Sequence, residues 1–202
     1  DLKNELSEAG TNHAKLQTLW KKIGAITLLD PACGCGNFLV VAYRELRRLE
    51  LEILKRLYKQ EVESGQSQLP FDVARLSKFS VDRMYGIEIL SFPAAIARLS
   101  LWLVDHMANI ELGDYFGQPF AKLPIVDQPH IVHGNALRLD WTEIAPKEKL
   151  SYILGNPPFI GSRVMDETQK ADMHFVFGKL TGVGFLDYVT AWYMKAAQYI
   201  NG

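Results

Sequence analysis

Cysteine is scarce in this chain: Cys33 and Cys35, one residue apart, are the only two. Their scarcity excludes a disulfide-stapled secreted scaffold. A C-x-C pair with no second cysteine pair and no nearby histidine also lacks the ligand set of a zinc site. Long apolar runs are missing too, since Arg98 and Asp105 interrupt the best stretch. No membrane span is therefore expected, and no signal peptide is recognisable. Nor is there an excess of one charge: 22 Lys and Arg against 23 Asp and Glu leave a formal charge of −1. That excludes binding nucleic acid by bulk positive charge alone, because phosphate neutralisation needs a surplus of Lys and Arg. What the chain has is 202 residues, 48% of them hydrophobic and 22% charged, a globular composition that excludes disorder as the main state. Its length suits one large domain, or one and a fraction, burying roughly 70% of the unfolded surface. It begins at Asp1 without a methionine and stops just past a predicted helix, so a piece of something longer is expected.

Apolar spacing sets the predicted elements. Asn12 caps a short helix in which Leu16, Leu19, Trp20 and Ile23 share a face, ended by Gly24. Residues 1–23 thus read as a helical lead-in to a main domain over 24–202. Ile26 to Leu29 flow into Asp30-Pro31 as a buried strand of the parallel type. After Gly34 and Gly36 a long helix begins, with Phe38, Val41, Ala42, Leu46, Leu49, Ile53 and Leu57 on its apolar face. Arg44, Arg47, Arg48, Glu52, Lys55 and Arg56 fill the other face, which reads as solvated. Residues 61–72 read as loop. A second strand, Met84 to Ile89, precedes a helix from near Ser91, with Pro93 in its first turn and Ile96, Leu99, Leu103, Val104 and Met107 as its stripe. Residues 109–129, with three prolines and two glycines, read as loop. His130 to His133 and Ser151 to Leu154 are the third and fourth strands. A polar segment, 160–184, separates the fourth from a last helix running from about Leu186 to Ile200. The alternation predicts an α/β chain with a parallel sheet.

In such a sheet, ligands sit beyond the carboxyl ends of the strands, and all four predicted ends carry unusual residues. Asp30-Pro31-Ala32-Cys33-Gly34-Cys35-Gly36-Asn37-Phe38 is a glycine-rich turn into a helix, where the backbone can approach a ligand and helix N–H groups face an anionic group. Tyr85-Gly86-Ile87-Glu88-Ile89 closes the second strand on a carboxylate, which can accept from both hydroxyls of a ribose. Gly134-Asn135-Ala136-Leu137 places an amide and a backbone N–H where an adenine edge would lie. The fourth end is the most specific: Asn156-Pro157-Pro158-Phe159. Two successive prolines remove two N–H donors and stiffen the backbone. The Asn156 amide oxygen and the Pro157 carbonyl can then grip an exocyclic NH₂ group, and Phe159 can stack on a planar heterocycle.

These four ends, in this order, resemble the motifs of S-adenosylmethionine-dependent DNA amino-methyltransferases, especially those modifying adenine N6. Ala97 to Leu103, Gly134 to Trp141, and Leu186-Asp187-Tyr188-Val189 with Trp192-Tyr193 are more narrowly similar to MmeI-like type IIG enzymes, which join restriction and modification in one polypeptide. The resemblance runs from about residue 24 to the end. It implies a Rossmann-like class I sheet, here with about four of seven strands and without the target-recognition domain. It implies S-adenosylmethionine as cofactor, with Asp30, Ala32, Cys33, Gly34, Gly36, Asn37 and Phe38 around its methionine part. Glu88 would take the ribose, Ile89 would pack on the adenine, and Asn135, Ala136 and Leu137 would meet the adenine edge; many members have aspartate where Asn135 stands. Asn156, Pro157 and Phe159 would be catalytic, no metal would be required, and the partner would be duplex DNA with a flipped adenine. A bacterial cytoplasmic setting is implied as well, and the helix from Leu186 would line the pocket floor.

The chemistry implied follows from an aromatic amine being a poor nucleophile. Neutral acceptors at Asn156 and Pro157 would favour a pyramidal nitrogen with its lone pair aimed at the sulfonium methyl. Flipping the base out of its stack costs a few kcal/mol, partly offset by about 1–3 kcal/mol of stacking on Phe159. Cytosine-N4, RNA and protein-glutamine methyltransferases share the cofactor and remain open as alternatives, as does a chain that binds cofactor without turnover. A dinucleotide-binding oxidoreductase would use the glycine turn and Glu88 but leaves Asn156 to Phe159 unexplained. The fourth strand is expected at a raw sheet edge, a hazard for self-association.

Overall fold

The computed structural model describes residues 1–64, 76–117 and 127–201. Four short strands, β1 (Leu28–Asp30), β2 (Met84–Glu88), β3 (His130–His133) and β4 (Tyr152–Ile153), form one parallel sheet in the order β3-β2-β1-β4. Leu28 faces Met84 on one side and Tyr152 on the other. Tyr85 to Glu88 run beside His130 to His133. This is the first part of a doubly wound order, whose switch point lies between β1 and β4. The alternation of elements predicts a parallel α/β sheet, and the family resemblance implies the class I type left open at β4, as found. β3 has its expected bounds, while the other three strands are one or two residues shorter than expected: Ile26 and Ile89 lie outside β1 and β2, and β4 is a two-residue strand.

Eight helices are present among the described residues: α1 (Leu2–Ala9), α2 (His13–Gly24), α3 (Asn37–Leu57), α4 (Lys59–Ser64), α5 (Ser91–Tyr115), α6 (Trp141–Ile144), α7 (Glu167–Phe177) and α8 (Thr190–Asn201). Asn12 caps α2 as its position suggests, accepting from the Lys15 N–H at 3.1 Å. Four expectations need correction. The loop at 61–72 is helical through Ser64, and the remainder of that stretch lies outside the described residues. The loop at 109–129 is helical to Tyr115, because Asn109 and Leu112 face inward and the proline-rich part begins only at Pro119. The polar segment 160–184 contains α7, started by a reciprocal cap between Asp166 and Gln169. The last helix starts at Thr190, with a 3₁₀ turn at Val183–Phe185 before it.

Contacts group the chain into two units, 1–26 with 40–83 and 99–129, and 27–39 with 84–98 and 130–202. The first unit is helical, and its interior is polar as well as apolar. Arg47, expected on a solvated face, is buried, donating to the Phe79 carbonyl at 2.9 Å beside Glu50 at 3.5 Å. Glu50 in turn accepts from the Trp20 indole at 2.9 Å and the Lys78 N–H at 2.6 Å. Tyr43 donates to Asp105 at 2.6 Å. A charge survives burial only with such partners. The stripe expected to be buried on α5 is turned outward: Leu99, Leu103 and Met107 are exposed, while Leu101, Asp105, Asn109 and Leu112 face in. On α3, Phe38 and Val41 are likewise exposed.

The second unit holds the whole sheet. Its core joins Leu29 and Ile87 from the strands to Leu137 and Trp141, to Met173, Val176 and Phe177 of α7, and to Ala191, Trp192 and Tyr199 of α8. No helix among the described residues is long and apolar enough to cross a membrane.

Candidate active site

Two glycines make the turn after β1 possible. Gly36, at φ 85°, leaves room for only a hydrogen: a Cβ there would stand 3.1 Å from the Ala97 Cβ. Gly86 is needed for the same reason, since a Cβ on β2 would reach within 2.9 Å of the Cys33 sulfur. The turn therefore lies flat on β2, with the Cys33 N–H donating to the Ile87 carbonyl at 3.0 Å.

Glu88 ties this turn to the next one. One carboxylate oxygen accepts from the Gly34 N–H at 3.0 Å and the other from the Leu90 N–H at 2.9 Å. Each oxygen keeps a further lone pair, so a second layer of donors can be accepted. Below it, Asp30 is fully buried. One of its oxygens accepts from the Ala32 N–H at 3.0 Å, and the other has no hydrogen-bond partner among the described residues. Burial, and secondarily the charge of Glu88, pushes the Asp30 carboxyl up to about 6, against the pull of the Ala32 N–H. Burial and the same two carboxylates push the Cys33 thiol up to about 12, so it stays protonated near neutrality.

Beyond the strand ends opens a cleft of about 490 Å³, within the size range of small-molecule sites. Ala32, Glu88, Ile89, Asn135, Ala136 and Asn156 all line it. Asn156 thus shares one hollow with Glu88. The other residues singled out from sequence are not on the lining. Asp30 and Cys33 are buried under the turn with Gly34, Gly36 and Asn37 in the same backbone stretch, and Leu137 is in the core. Phe38 and Phe159 are exposed, Phe159 at 70%, and Pro157 is half-buried next to the lining residues Asn156 and Pro158.

Of the opposite wall, the stretch from Leu186 is the one implied as pocket floor, and its Tyr188 and Trp192 do line the cleft, whereas the part supplied by α7 was not visible in the sequence. Asp166, Thr168, Gln169 and Asp172 reach it from the cap and first half of α7, Tyr188 from the approach to α8 and Trp192 from the first turn of α8. The Asp166-x-x-Gln169 spacing is the signal that could have found α7. Trp192 donates its indole N–H to the Pro31 carbonyl at 3.1 Å, fastening α8 to the first turn. The Tyr188 N–H donates to the Ile160 carbonyl at 2.9 Å, and the Ile160 N–H to Asp187 at 3.1 Å. These bonds hold the segment after Phe159 in place. Burial, and then its hydrogen bond to Asp172, pushes the Tyr188 phenol up. The lining carries three carboxylates, Glu88, Asp166 and Asp172, and no Lys or Arg among the described residues.

A switch-point cleft with a glycine turn, a carboxylate-ended β2 and an Asn-Pro-Pro-Phe end on β4 can be set beside known proteins. The family model for the MmeI DNA-methyltransferase domain matches residues 6–202. The chain belongs to that family. It is 37% identical over 203 residues to DNA methyltransferase A of Bacillus subtilis (strain 168), covering 99% of this chain and 22% of that protein. It also superposes on a structure of the type IIL restriction-modification enzyme MmeI in complex with DNA, with a TM-score of 0.89 and 47% identity. That match covers 98% of this chain and 26% of the MmeI chain. The chain therefore spans about a quarter of the length of these relatives and, within the MmeI family, is a DNA-methyltransferase domain.

Proposed function

We propose that this MmeI-family domain moves a methyl group from S-adenosylmethionine to the exocyclic N6 amine of adenine in DNA, as the modification part of a restriction-modification enzyme. The observation that carries the reading is the shared cleft: Glu88 and Asn156 line one hollow whose charged side chains are all carboxylates. A cationic nucleoside fits that lining, whereas the phosphates of a dinucleotide would meet repulsion. The residues present thus fit the cofactor. Glu88 would hold the ribose hydroxyls, Ile89 and Ala136 would flank the adenine, and the turn from Asp30 to Phe38 would hold the methionine part, with Cys33, Gly34, Gly36 and Asn37 shaping it. When bound, S-adenosylmethionine supplies a methyl group made electrophilic by its sulfonium.

The chain's own contribution is positioning. The Asn156 amide oxygen and the Pro157 carbonyl accept the two N–H bonds of the target amine and draw its lone pair out of ring conjugation. Pro157 and Pro158 have no N–H to compete for those acceptors. Phe159, standing exposed, gives the flipped base a face to stack on. The test is to incubate the protein with methyl-labelled cofactor and a mixture of duplex DNA, RNA and protein, then digest and separate the products. N6-methyladenine from the DNA is the expected product. Label in N4-methylcytosine, in RNA or in glutamine would overturn the substrate assignment.

A further inference from the structure

Asn135 on the lining is held at both ends. Its amide oxygen accepts from the Leu137 N–H at 2.9 Å, and its amide nitrogen donates to an Asp172 carboxylate oxygen at 2.9 Å. A backbone N–H can only donate and an ionised carboxylate can only accept, so the amide has one admissible orientation. Asp172, only 2% exposed, gathers two more donors: the Tyr188 hydroxyl at 2.8 Å and the Arg138 guanidinium at 2.6 Å. One buried carboxylate on α7 therefore joins the turn after β3 to the segment before α8. Asn135, Asp172 and Tyr188, one from each of these three segments, all line the cleft.

We infer that Asp172 is a positioning residue of the cofactor cleft, acting through a directional Asn135–Asp172 hydrogen bond whose two ends can be exchanged but not duplicated. The inference rests on the cofactor reading above. A second carboxylate, placed at position 135, would face the first with no proton between them, forcing the wall apart. With an amide at position 172 as well, the same bond runs in reverse. The amide nitrogen at 172 then donates to the carboxylate at 135 and to the Tyr188 hydroxyl, while the amide oxygen still accepts from Arg138.

The test compares N135D, D172N and the N135D/D172N double variant with the unsubstituted protein, measuring affinity for S-adenosylhomocysteine by calorimetry below each melting point. The expected result is a loss of about tenfold or more for N135D, restored in the double variant to within about threefold of the unsubstituted protein. N135D binding as tightly as the unsubstituted protein, or a double variant no better than N135D, overturns the inference. Failure of the unsubstituted protein to bind overturns the cofactor reading itself, and with it the pocket role of Asp172. Melting temperatures without ligand then report the pair alone: a fall in N135D that the second change does not reverse would show that no such bond exists.

Discussion

At the scale of single residues, Asp30 is where burial and charge conflict most directly. Its carboxyl is raised from 3.8 to about 6 by burial, so the folded chain holds a proton that the unfolded chain has released between those values. Stability contributed by that proton is present below about pH 4 and is lost as pH rises through about 6. The penalty above that window is at most about 3 kcal/mol. Asp30→Asn is therefore predicted to melt above the parent at pH 8 and to converge with it near pH 4; a difference independent of pH would contradict this. Gly155 sits against the same group, since a Cβ there would lie 2.5 Å from an Asp30 oxygen. Gly155→Ala should cost about 1–3 kcal/mol through overpacking, read as a lower melting temperature. Glu88→Gln should weaken S-adenosylhomocysteine binding in calorimetry and also lower the melting temperature, because the amide keeps only one acceptor oxygen for the Gly34 and Leu90 N–H groups and the ribose and turns a donor toward one of those N–H groups.

At the scale of elements, α7 gives a separable test. Replacing a capping Asp or Asn by Ala costs about 1 kcal/mol at either Asp166 or Asn12. Asp166→Ala loosens the turn carrying Thr168, Gln169 and Asp172, so its binding of S-adenosylhomocysteine should fall as well as its melting temperature. Asn12→Ala, at the cap of α2 in the other unit, should lower melting alone. Equal effects on binding would refute the role given to α7. The same elements show what could be read in advance. β1, β2 and β3 were legible because each is a short apolar run ending on a glycine, a carboxylate or an amide, and those ends are local chemistry. α7 was not, because its first turns, Glu167 to Asp172, are polar apart from Ala171 and its large apolar residues appear only from Met173. The buried face of α5 was misread for a related reason: Asp105 and Asn109 go inside only because Tyr43 and Arg47 meet them there. Periodicity cannot anticipate a partner supplied by another helix.

At the scale of the whole molecule, the four strand ends and the helix from Leu186 are the parts of the cleft legible in the sequence, and folding adds the wall from α7. β4 pairs only with β1 among the described residues, and Tyr152 on it is exposed. An open edge of this kind invites pairing with a second copy. The 202-residue chain on its own is predicted to sediment as a concentration-dependent mixture, with Tyr152→Lys shifting it toward monomer. A sharp monomer at all concentrations would count against that. With a formal charge of −1, the domain has little bulk attraction for DNA, and the function proposed for it turns on local geometry at Asn156. The most direct measurement is Asn156→Ala in the intact protein, assayed both for methyl transfer to DNA and for cofactor binding. Methylation abolished with S-adenosylhomocysteine affinity within about twofold of the parent is the result predicted; near-normal turnover in that variant would contradict the account.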